Sequence, residues 1–509
     1  MASEKKILIS TIQVTLVTLF VKFLGLVKQA VLASYCGATM ETDAFFVATG
    51  TMVNLTTVLF SALSVSLLTI HTRVLFQDGR EKANDLINSV LKTFVPLSAC
   101  LAALFYFNSV EVAKILAPAY KGEELHLLAD YIKPLSSTFL LWCYFLTINV
   151  ILETDKQFIQ GKGQTFFQNI FLIVGASIFY PKHGMKILVY AFLLAGAAQC
   201  LLVTWCARDR FRLMLTSKTS NDGVKKLVKV AIPLLLGNAM YEINTIVDGQ
   251  VATSLGAGGA SVLNYGATIH DMVIGVIVAS VSTVLFSHFS TWIAKNEIDQ
   301  VELNLQRILE ILTLILLPIM VMCIVTGDQI VEIFYGRGSF GTKEINRTYG
   351  VVIGYSLGFI FQAARANLVK VYYAFQDSKR PMINGMIAVA LNVVLSITLS
   401  RVIGVTGIAA ATSISMLFVT ILLLKDIKKH LPNFTLKNSA VEILKGGISA
   451  SITAFSVYFI KCVLNFGTFF SLIIEGIIAL LIYTLVLLLL KSTLVKTAWA
   501  QIVNKNEKG

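Results

Sequence analysis

The sequence predicts an all-α polytopic membrane protein with about fourteen transmembrane helices, two pseudo-symmetric six-helix lobes and then two further helices. Three observations carry this prediction. Apolar runs of about 20 residues recur along nearly the whole chain, the length needed to cross a hydrocarbon core. The alternating segments of about 10 residues that build membrane barrels are not seen. A weaker copy of the stretch from Lys22 to Gly50 returns 219 residues later.

Taken in order, the expected spans are about 8–35, 43–71, 87–107, 127–150, 163–181, 186–206, 227–253, 260–290, 304–326, 346–375, 381–401, 405–425, 440–463 and 467–490. The basic, polar loop from Arg208 to Lys226 falls after the sixth and reads as a linker. The expected organisation is a lobe over 1–210, a linker over 211–226, a second lobe over 227–430, and two added helices with a tail over 431–509. At the 219-residue offset, Ala33, Gly37, Ala38, Ala48 and Thr49 meet Ala252, Gly256, Ala257, Ala267 and Thr268. Glu153-Thr154-Asp155-Lys156 is echoed by Gln376-Asp377-Ser378-Lys379 after the fourth span of each half. An even number of spans per half makes the repeat parallel, about an axis along the membrane normal.

Composition excludes several classes of function. At 56% hydrophobic and 14% charged, with a mean hydropathy of +0.76, the chain is too apolar for a soluble globule. The net charge of +13 does not call for nucleic acid, because no soluble basic domain with aromatic platforms is present. The seven cysteines, at 36, 100, 143, 200, 206, 323 and 462, are scattered without a Cys-x-x-Cys, as inert buried thiols would be. No metal site and no cofactor are expected. Met1–Lys6 reads as a charged cap rather than part of a cleavable signal peptide. Enzyme motifs are missing too: there is no Walker loop and no His-Glu-x-x-His. Gly336-Arg337-Gly338-Ser339-Phe340-Gly341 is glycine-rich but follows no strand, so a turn is expected there.

The chemistry lies in charges inside apolar runs, where each costs roughly 2.5–3.5 kcal/mol and therefore faces protein or an aqueous cavity. Lys22, Gly25 and Gln29 share one helix face, with Lys28 about 120° away. A deep positive pair with little acid nearby suits an anionic substrate such as a diphosphate; interfacial snorkelling of Lys28 is the plainer alternative. Asp43 opens the second span, where a helix dipole and capping stabilise it without further function; the alternative is a gate or ion role opposite the lysines. In the second half Glu242, Asn244 and Asp248 lie in span seven, with His270 and Asp271 in span eight. Glu242, Asp248 and Asp271 suit a coupling sodium ion or proton, or equally hydrogen bonds to polar neighbours. Arg365 and Lys370 in span ten restore positive charge; the arginine can grip a phosphate by paired bonds, while the lysine acts as a point charge. Lys22 and Arg365, one from each half, are expected to act together on the substrate diphosphate.

Leu24-Gly25-Leu26-Val27-Lys28, Gly37-Ala38 and Thr42-Asp43-Ala44-Phe45-Phe46-Val47-Ala48 resemble the first hairpin of MurJ-like lipid II flippases of the multidrug/oligosaccharidyl-lipid/polysaccharide exporter superfamily. Leu263-Asn264-Tyr265, Phe334–Phe340, Tyr373–Gly385 and Gly404–Ser413 extend the resemblance over most of residues 8–430. It implies two six-helix lobes alternating between inward- and outward-open states. The implied cargo is a polyprenyl-diphosphate-linked cell-wall precursor, held at its diphosphate by basic residues. Coupling to a monovalent cation or to the membrane potential is expected, with membrane lipids and cell-wall synthesis machinery as partners. Departures from the family pattern are Lys22 and Lys28 in place of arginines, Thr56-Thr57 in place of a basic pair, Thr268 in place of an arginine, and Met52-Val53-Asn54 in place of a proline turn. A flippase for another lipid-linked oligosaccharide would keep the same architecture with a changed cavity; a drug/cation antiporter or a membrane scaffold is a more distant reading.

Loops assigned to the cytoplasm hold roughly two dozen Lys and Arg against about eight or nine opposite, so both termini are expected inside a bacterial cytoplasmic membrane. A cysteine placed at Ser220 should therefore resist an impermeant thiol reagent added to intact cells, and its modification from outside would overturn the topology.

Overall fold

A computed structural model describes residues 2–213, 221–463 and 467–492. Ser217 and Ser220 of the expected linker, and the tail after 492, lie outside the described residues. Among those described, every regular element is helical: α1 (Ala2–Cys36), α2 (Met40–Asp78), α3 (Arg80–Phe107), α4 (Ser109–Leu116), α5 (Glu123–Leu135), α6 (Thr138–Thr154), α7 (Gly163–Val174), α8 (Tyr180–His183), α9 (Lys186–Ala207) and α10 (Asn221–Thr253) in the first part. Then come α11 (Gly259–Ala294), α12 (Ile298–Val325), α13 (Gly327–Tyr335), α14 (Thr342–Ser356), α15 (Phe359–Ala374), α16 (Lys379–Ile403), α17 (Val405–Ile427), α18 (Lys437–Val463) and α19 (Thr468–Leu489). Eleven described helices are long and apolar enough to cross a membrane, or twelve with the bent α14–α15 pair taken as one. Helix also covers the fifth and seventh expected spans, as α7 to α8 and as α10.

The helix bounds display the internal duplication more fully than the sequence echo does. α2 and α11 start at Met40 and Gly259, α3 and α12 at Arg80 and Ile298, and α4 and α13 at Ser109 and Gly327. α5 and α14 start at Glu123 and Thr342, α9 and α17 at Lys186 and Val405; every pair is offset by 218 or 219 residues. α18 and α19 have no counterpart in the first half.

Three expected spans are interrupted. Span four is cut between α5 and α6, where Pro134 lacks the N–H that would continue the ladder. Ser136, Ser137 and Thr138 each turn a hydroxyl onto the carbonyl three residues back, at 2.6–2.7 Å, and so satisfy the backbone freed by the cut. Its counterpart, span ten, breaks between α14 and α15 with a 43° bend. There Ser356 Oγ donates to Ile353 O at 2.9 Å, and a neighbour adds to it: Ser413 Oγ on α17 donates to Gly354 O at 2.6 Å. Span five contains a five-residue π-helical segment, Gly175–Phe179. Gly175 packs so closely that a Cβ on it would stand 3.3 Å from that of Ala191.

By packing, the chain divides into two compact units, 1–264 with 338–340 and 265–337 with 341–509. These units are defined by compactness, the lobes by the repeat. In the first unit α2 is central, lying against α3, α5, α6 and α10. Trp142 of α6 stacks on Phe192 of α9 at 6.0 Å, and Asn169 of α7 donates to Val21 O of α1 at 3.0 Å. α2 hides its own polar groups: Thr49, Thr56 and Ser66 each bond the carbonyl four residues back.

In the second unit α17 lies against α14, α15 and α16, and α18 and α19 pack on α12. Gly350, Gly354 and Gly358, four residues apart, form a small-residue seam against Thr406, Ala409 and Ser413 of α17. A Cβ at Gly354 would come within 2.8 Å of Ala409 Cβ and 2.9 Å of Thr406 O. The α12–α18–α19 contact is an apolar cluster of Leu314, Leu317, Val321, Ala450, Tyr483 and Leu487, with Tyr483 donating to Leu314 O at 3.0 Å.

The seam predicts an asymmetry among glycine substitutions. Gly354→Val should lower the thermal midpoint of the detergent-purified protein, since overpacking against a fixed backbone costs about 1–3 kcal/mol. Gly385→Ala, where a Cβ meets nothing within 4 Å, should leave it unchanged.

Candidate functional site

The start of α2 is built to hold a carboxylate. Thr39 caps the helix, its Oγ1 accepting from Thr42 N at 3.3 Å, and Glu41 and Asp43 occupy the first turn. Asp43 is fully buried. Its Oδ2 accepts from Gly258 N at 2.7 Å, and its Oδ1 from Ser261 N at 2.7 Å and Ser261 Oγ at 2.5 Å. A carboxylate from the first turn of α2 thus caps the first turn of α11, where free N–H groups favour negative charge. Gly258 makes this possible. It adopts φ +81°, and a Cβ there would lie 2.5 Å from Ala38 O.

Around this clasp the same unit adds two ties. Gln29 of α1 donates to Asn264 Oδ1 at 2.8 Å. Ser339 N bonds Ser34 O at 2.8 Å, and Gly338 sits at φ +59° beside Ser34, so the Gly338–Phe340 part of the glycine-rich stretch turns against the end of α1.

The basic residues of α1 are placed differently from one another. Lys22 is exposed and Lys28 half-buried, and Asp43 takes donors from the start of α11. On α10, Asp248 is buried and accepts from Asn244 Nδ2 at 3.2 Å, one turn earlier. Half-buried Glu242 receives the Asn54 amide of α2 at 3.1 Å when that amide is assigned with its nitrogen toward the carboxylate. Glu242 and Asp248 therefore share no partner among these bonds.

In the second unit His270 is buried between Asp271 Oδ1, 2.9 Å from its Nδ1, and Gln362 Oε1, 2.7 Å from its Nε2, with Tyr355 and Phe359 against its ring. Asp271 itself is exposed. Arg365 and Lys370 are both half-buried on α15, five residues apart and so on different faces. Asn54, Ser261, Asn264 and Gln362 escape sequence reasoning as site partners; their signal is a single polar residue in an apolar run. No group of three or more His, Cys, Asp or Glu able to hold a metal is found among the described residues.

The echoed turns after the fourth spans are matched in detail. Lys156 and Gln376 both adopt positive φ, and Gln157 N reaches Leu152 O as Asp377 N reaches Tyr372 O. Each turn is tied to the end of the sixth helix of its half. Arg210 binds Asp155 at 2.8 Å and Gln157 at 3.1 Å; His430 meets Asp377 at 2.9 Å. Arg380 adds an ion pair to Asp377 at 3.4 Å. The next helix, α16, opens its first turn at Lys379. Pro381 sits in that first turn, where its missing N–H has no helical partner to lose. Burial works to raise the Asp377 carboxyl, but the His430 hydrogen bond, the Arg380 N–H and the neighbouring positive charges outweigh it and hold the group below the usual aspartate range.

A sequence profile described as lipid II flippase MurJ matches residues 32–496. The "Probable lipid II flippase MurJ" of Treponema pallidum (strain Nichols) is 26% identical over 447 residues, covering 84% of this chain and 83% of its own. The "Lipid II flippase MurJ" of Thermosipho africanus (strain TCF52B) is 26% identical over 481 residues, with 94% and 96% covered. Among solved structures, a lipid II flippase MurJ in an inward closed conformation superposes with a TM-score of 0.82 at 23% identity, covering 96% of this chain and 99% of that one. An inward-facing multidrug resistance MATE family transporter of the MOP superfamily gives 0.70 at 14%, covering 81% and 95%.

The Asp377 cluster predicts a structural phenotype. Asp377→Ala should reduce the amount of folded protein, with any transport deficit following protein level; normal expression with abolished transport would contradict this role. A carboxyl held low in the folded state contributes stability above the usual aspartate range and loses it as pH falls through its folded value. Thermal midpoints should thus drop on acidification in the wild type and less so in Asp377→Asn.

Proposed function

The chain belongs to the lipid II flippase MurJ family, and from that membership we propose that it moves lipid II, a polyprenyl-diphosphate-linked cell-wall precursor, from the cytoplasmic to the outer leaflet of a bacterial cytoplasmic membrane. The observation that carries this reading is the family match over nearly the whole chain. The multi-pass helical fold and the charges within its apolar helices support it. Each unit carries its own basic pair for the diphosphate: Lys22 and Lys28 in the first, Arg365 and Lys370 in the second. A dianionic group offsets the cost of such charges in apolar helices.

Asp43 has a second task in this reading. Its clasp on Gly258 and Ser261 holds the start of α11 against α2, and alternating access requires that contact to be made in one state and released in another. The carboxylates Glu242, Asp248 and Asp271 are the groups we assign to coupling with a monovalent cation or the membrane potential. Both termini and the linker face the cytoplasm.

Complementation of a strain depleted of its lipid II flippase tests the cargo. Growth supports lipid II; failure, with the protein present in the membrane, would point to another lipid-linked oligosaccharide. Within a leaflet-accessibility assay at matched protein levels, Lys22→Gln and Arg365→Gln should each impair translocation. Arg365→Lys should only partly restore it, because lysine cannot make the paired bonds of arginine. Reversal at Lys22 to glutamate should be worse than Lys22→Gln. Wild-type translocation by the Lys22→Gln, Arg365→Gln double variant would remove these side chains from the mechanism.

A further inference from the structure

The helices outside the repeat contain a carboxyl group that no part of the transport reading uses. Glu475 lies two turns into α19, in a window of mean hydropathy 2.7, and is fully buried. Its Oε1 accepts from Gln329 Nε2 of α13 at 3.3 Å. Two buried oxygens are then left without any hydrogen-bond partner: Glu475 Oε2 and Gln329 Oε1. They are the second oxygens of the same two groups. Each is an acceptor only, so as a carboxylate facing an amide the pair leaves both unsatisfied, a costly arrangement in an apolar site.

The charged groups nearby do not relieve this. Lys461 of α18 holds Asp328 Oδ1 at 2.6 Å and Val325 O at 2.9 Å. Asp328 of α13 is the partner of that lysine, so the two charges offset each other beside Glu475 and neither bonds its second oxygen. Glu332, one turn further along α13, accepts from Thr468 at 3.2 Å. α12 presents the apolar surface of Leu314, Leu317 and Val321, and on α19 itself Tyr483 donates to Leu314 O.

We propose that Glu475 and Gln329 form a proton-binding site that latches α19 to α13. A single proton on Glu475 Oε2, donated to Gln329 Oε1, satisfies both orphan oxygens. Together with the existing Gln329 Nε2 to Glu475 Oε1 bond it closes a carboxylic acid–amide ring of two parallel hydrogen bonds. The bound group is thus neutral, which suits its surroundings, and the ligand of the site is the proton itself. Losing the proton to solvent leaves a buried anion beside Asp328 and breaks one of the two bonds of the latch. The folded state therefore binds a proton that the unfolded chain releases near neutrality, and this contribution to stability falls as pH rises. The inference is independent of the cargo.

The test uses purified full-length protein in lipid nanodiscs. Infrared difference spectra of Glu475→Gln against wild type at neutral pH should show loss of one carbonyl band of a protonated carboxylic acid. Glutamine can donate from Nε2 to Gln329 Oε1 in place of the acid, so this variant should keep the neutral-pH thermal midpoint and lose the decline seen in the wild type at alkaline pH. Glu475→Ala should lower the midpoint at all pH values. Absence of the acid band from wild type, or a Glu475→Gln variant as unstable as Glu475→Ala, would overturn the proposal. So would a wild-type midpoint that depends on sodium concentration and not on pH, which would mark the two oxygens as ligands of a metal cation.

Discussion

Backbone groups in a hydrocarbon layer have no water to turn to, and both units are shaped by meeting that demand wherever a helix is interrupted or a polar side chain intrudes. Apolar surface is no special attraction between helices there, so close contact and complete hydrogen bonding must supply cohesion. The seam of Gly350, Gly354 and Gly358 brings α14 near enough to α17 for Ser413 to reach a carbonyl on the other helix. The hydroxyls of α2 bond their own helix, which lets Thr49, Thr56 and Ser66 be buried at little cost. Tyr483 and Asn169 carry the same principle across helix pairs.

Carboxylates follow the rule under stricter terms, because a buried anion needs several donors. Asp43 gathers three, two of them backbone N–H groups at the start of another helix. Asp377 gathers its donors from a histidine, an arginine and a backbone N–H around one tight turn. Glu475 has one donor, and the missing second bond makes its protonation state the natural variable of the α13–α19 contact.

Much of the helical architecture was legible because hydrophobic length is a strong signal, and the turn residues at each end sharpen it. The duplication was legible as a few small residues near Gly37 and Gly256 and as one echoed polar turn, Glu153–Lys156 against Gln376–Lys379, since most positions in apolar helices tolerate exchange among similar side chains. Helix boundaries preserve it where identities do not. The breaks in spans four and ten are marked in the sequence only by Lys133-Pro134 with Ser136-Ser137-Thr138 and by Gly358, short interruptions that a span-length apolar window averages away. Asp43 was visible as a charge out of place, but Gly258 and Ser261, distant in sequence and unremarkable in type, gave no sign of being its partners. For Lys22, Lys28, Arg365 and Lys370 the sequence supplied the charge and the fold its degree of exposure.

The two broken spans differ in where their loose carbonyls are satisfied. In the first half the hydroxyls of Ser136, Ser137 and Thr138 reach back along their own segment. In the second half Ser356 reaches back to Ile353 O in the same way, and Ser413, a side chain of α17, adds a bond to Gly354 O. At the α5–α6 joint these three bonds stay within the segment, so a change of angle there would sever none of them to a neighbour, although both helices pack against α2 and α3. The α14–α15 joint is clamped, and altering its 43° bend would carry α17 along or cost a buried hydrogen bond. The two halves repeat one plan, and their joints differ by a tie: the second is bonded through a side chain to a neighbouring helix.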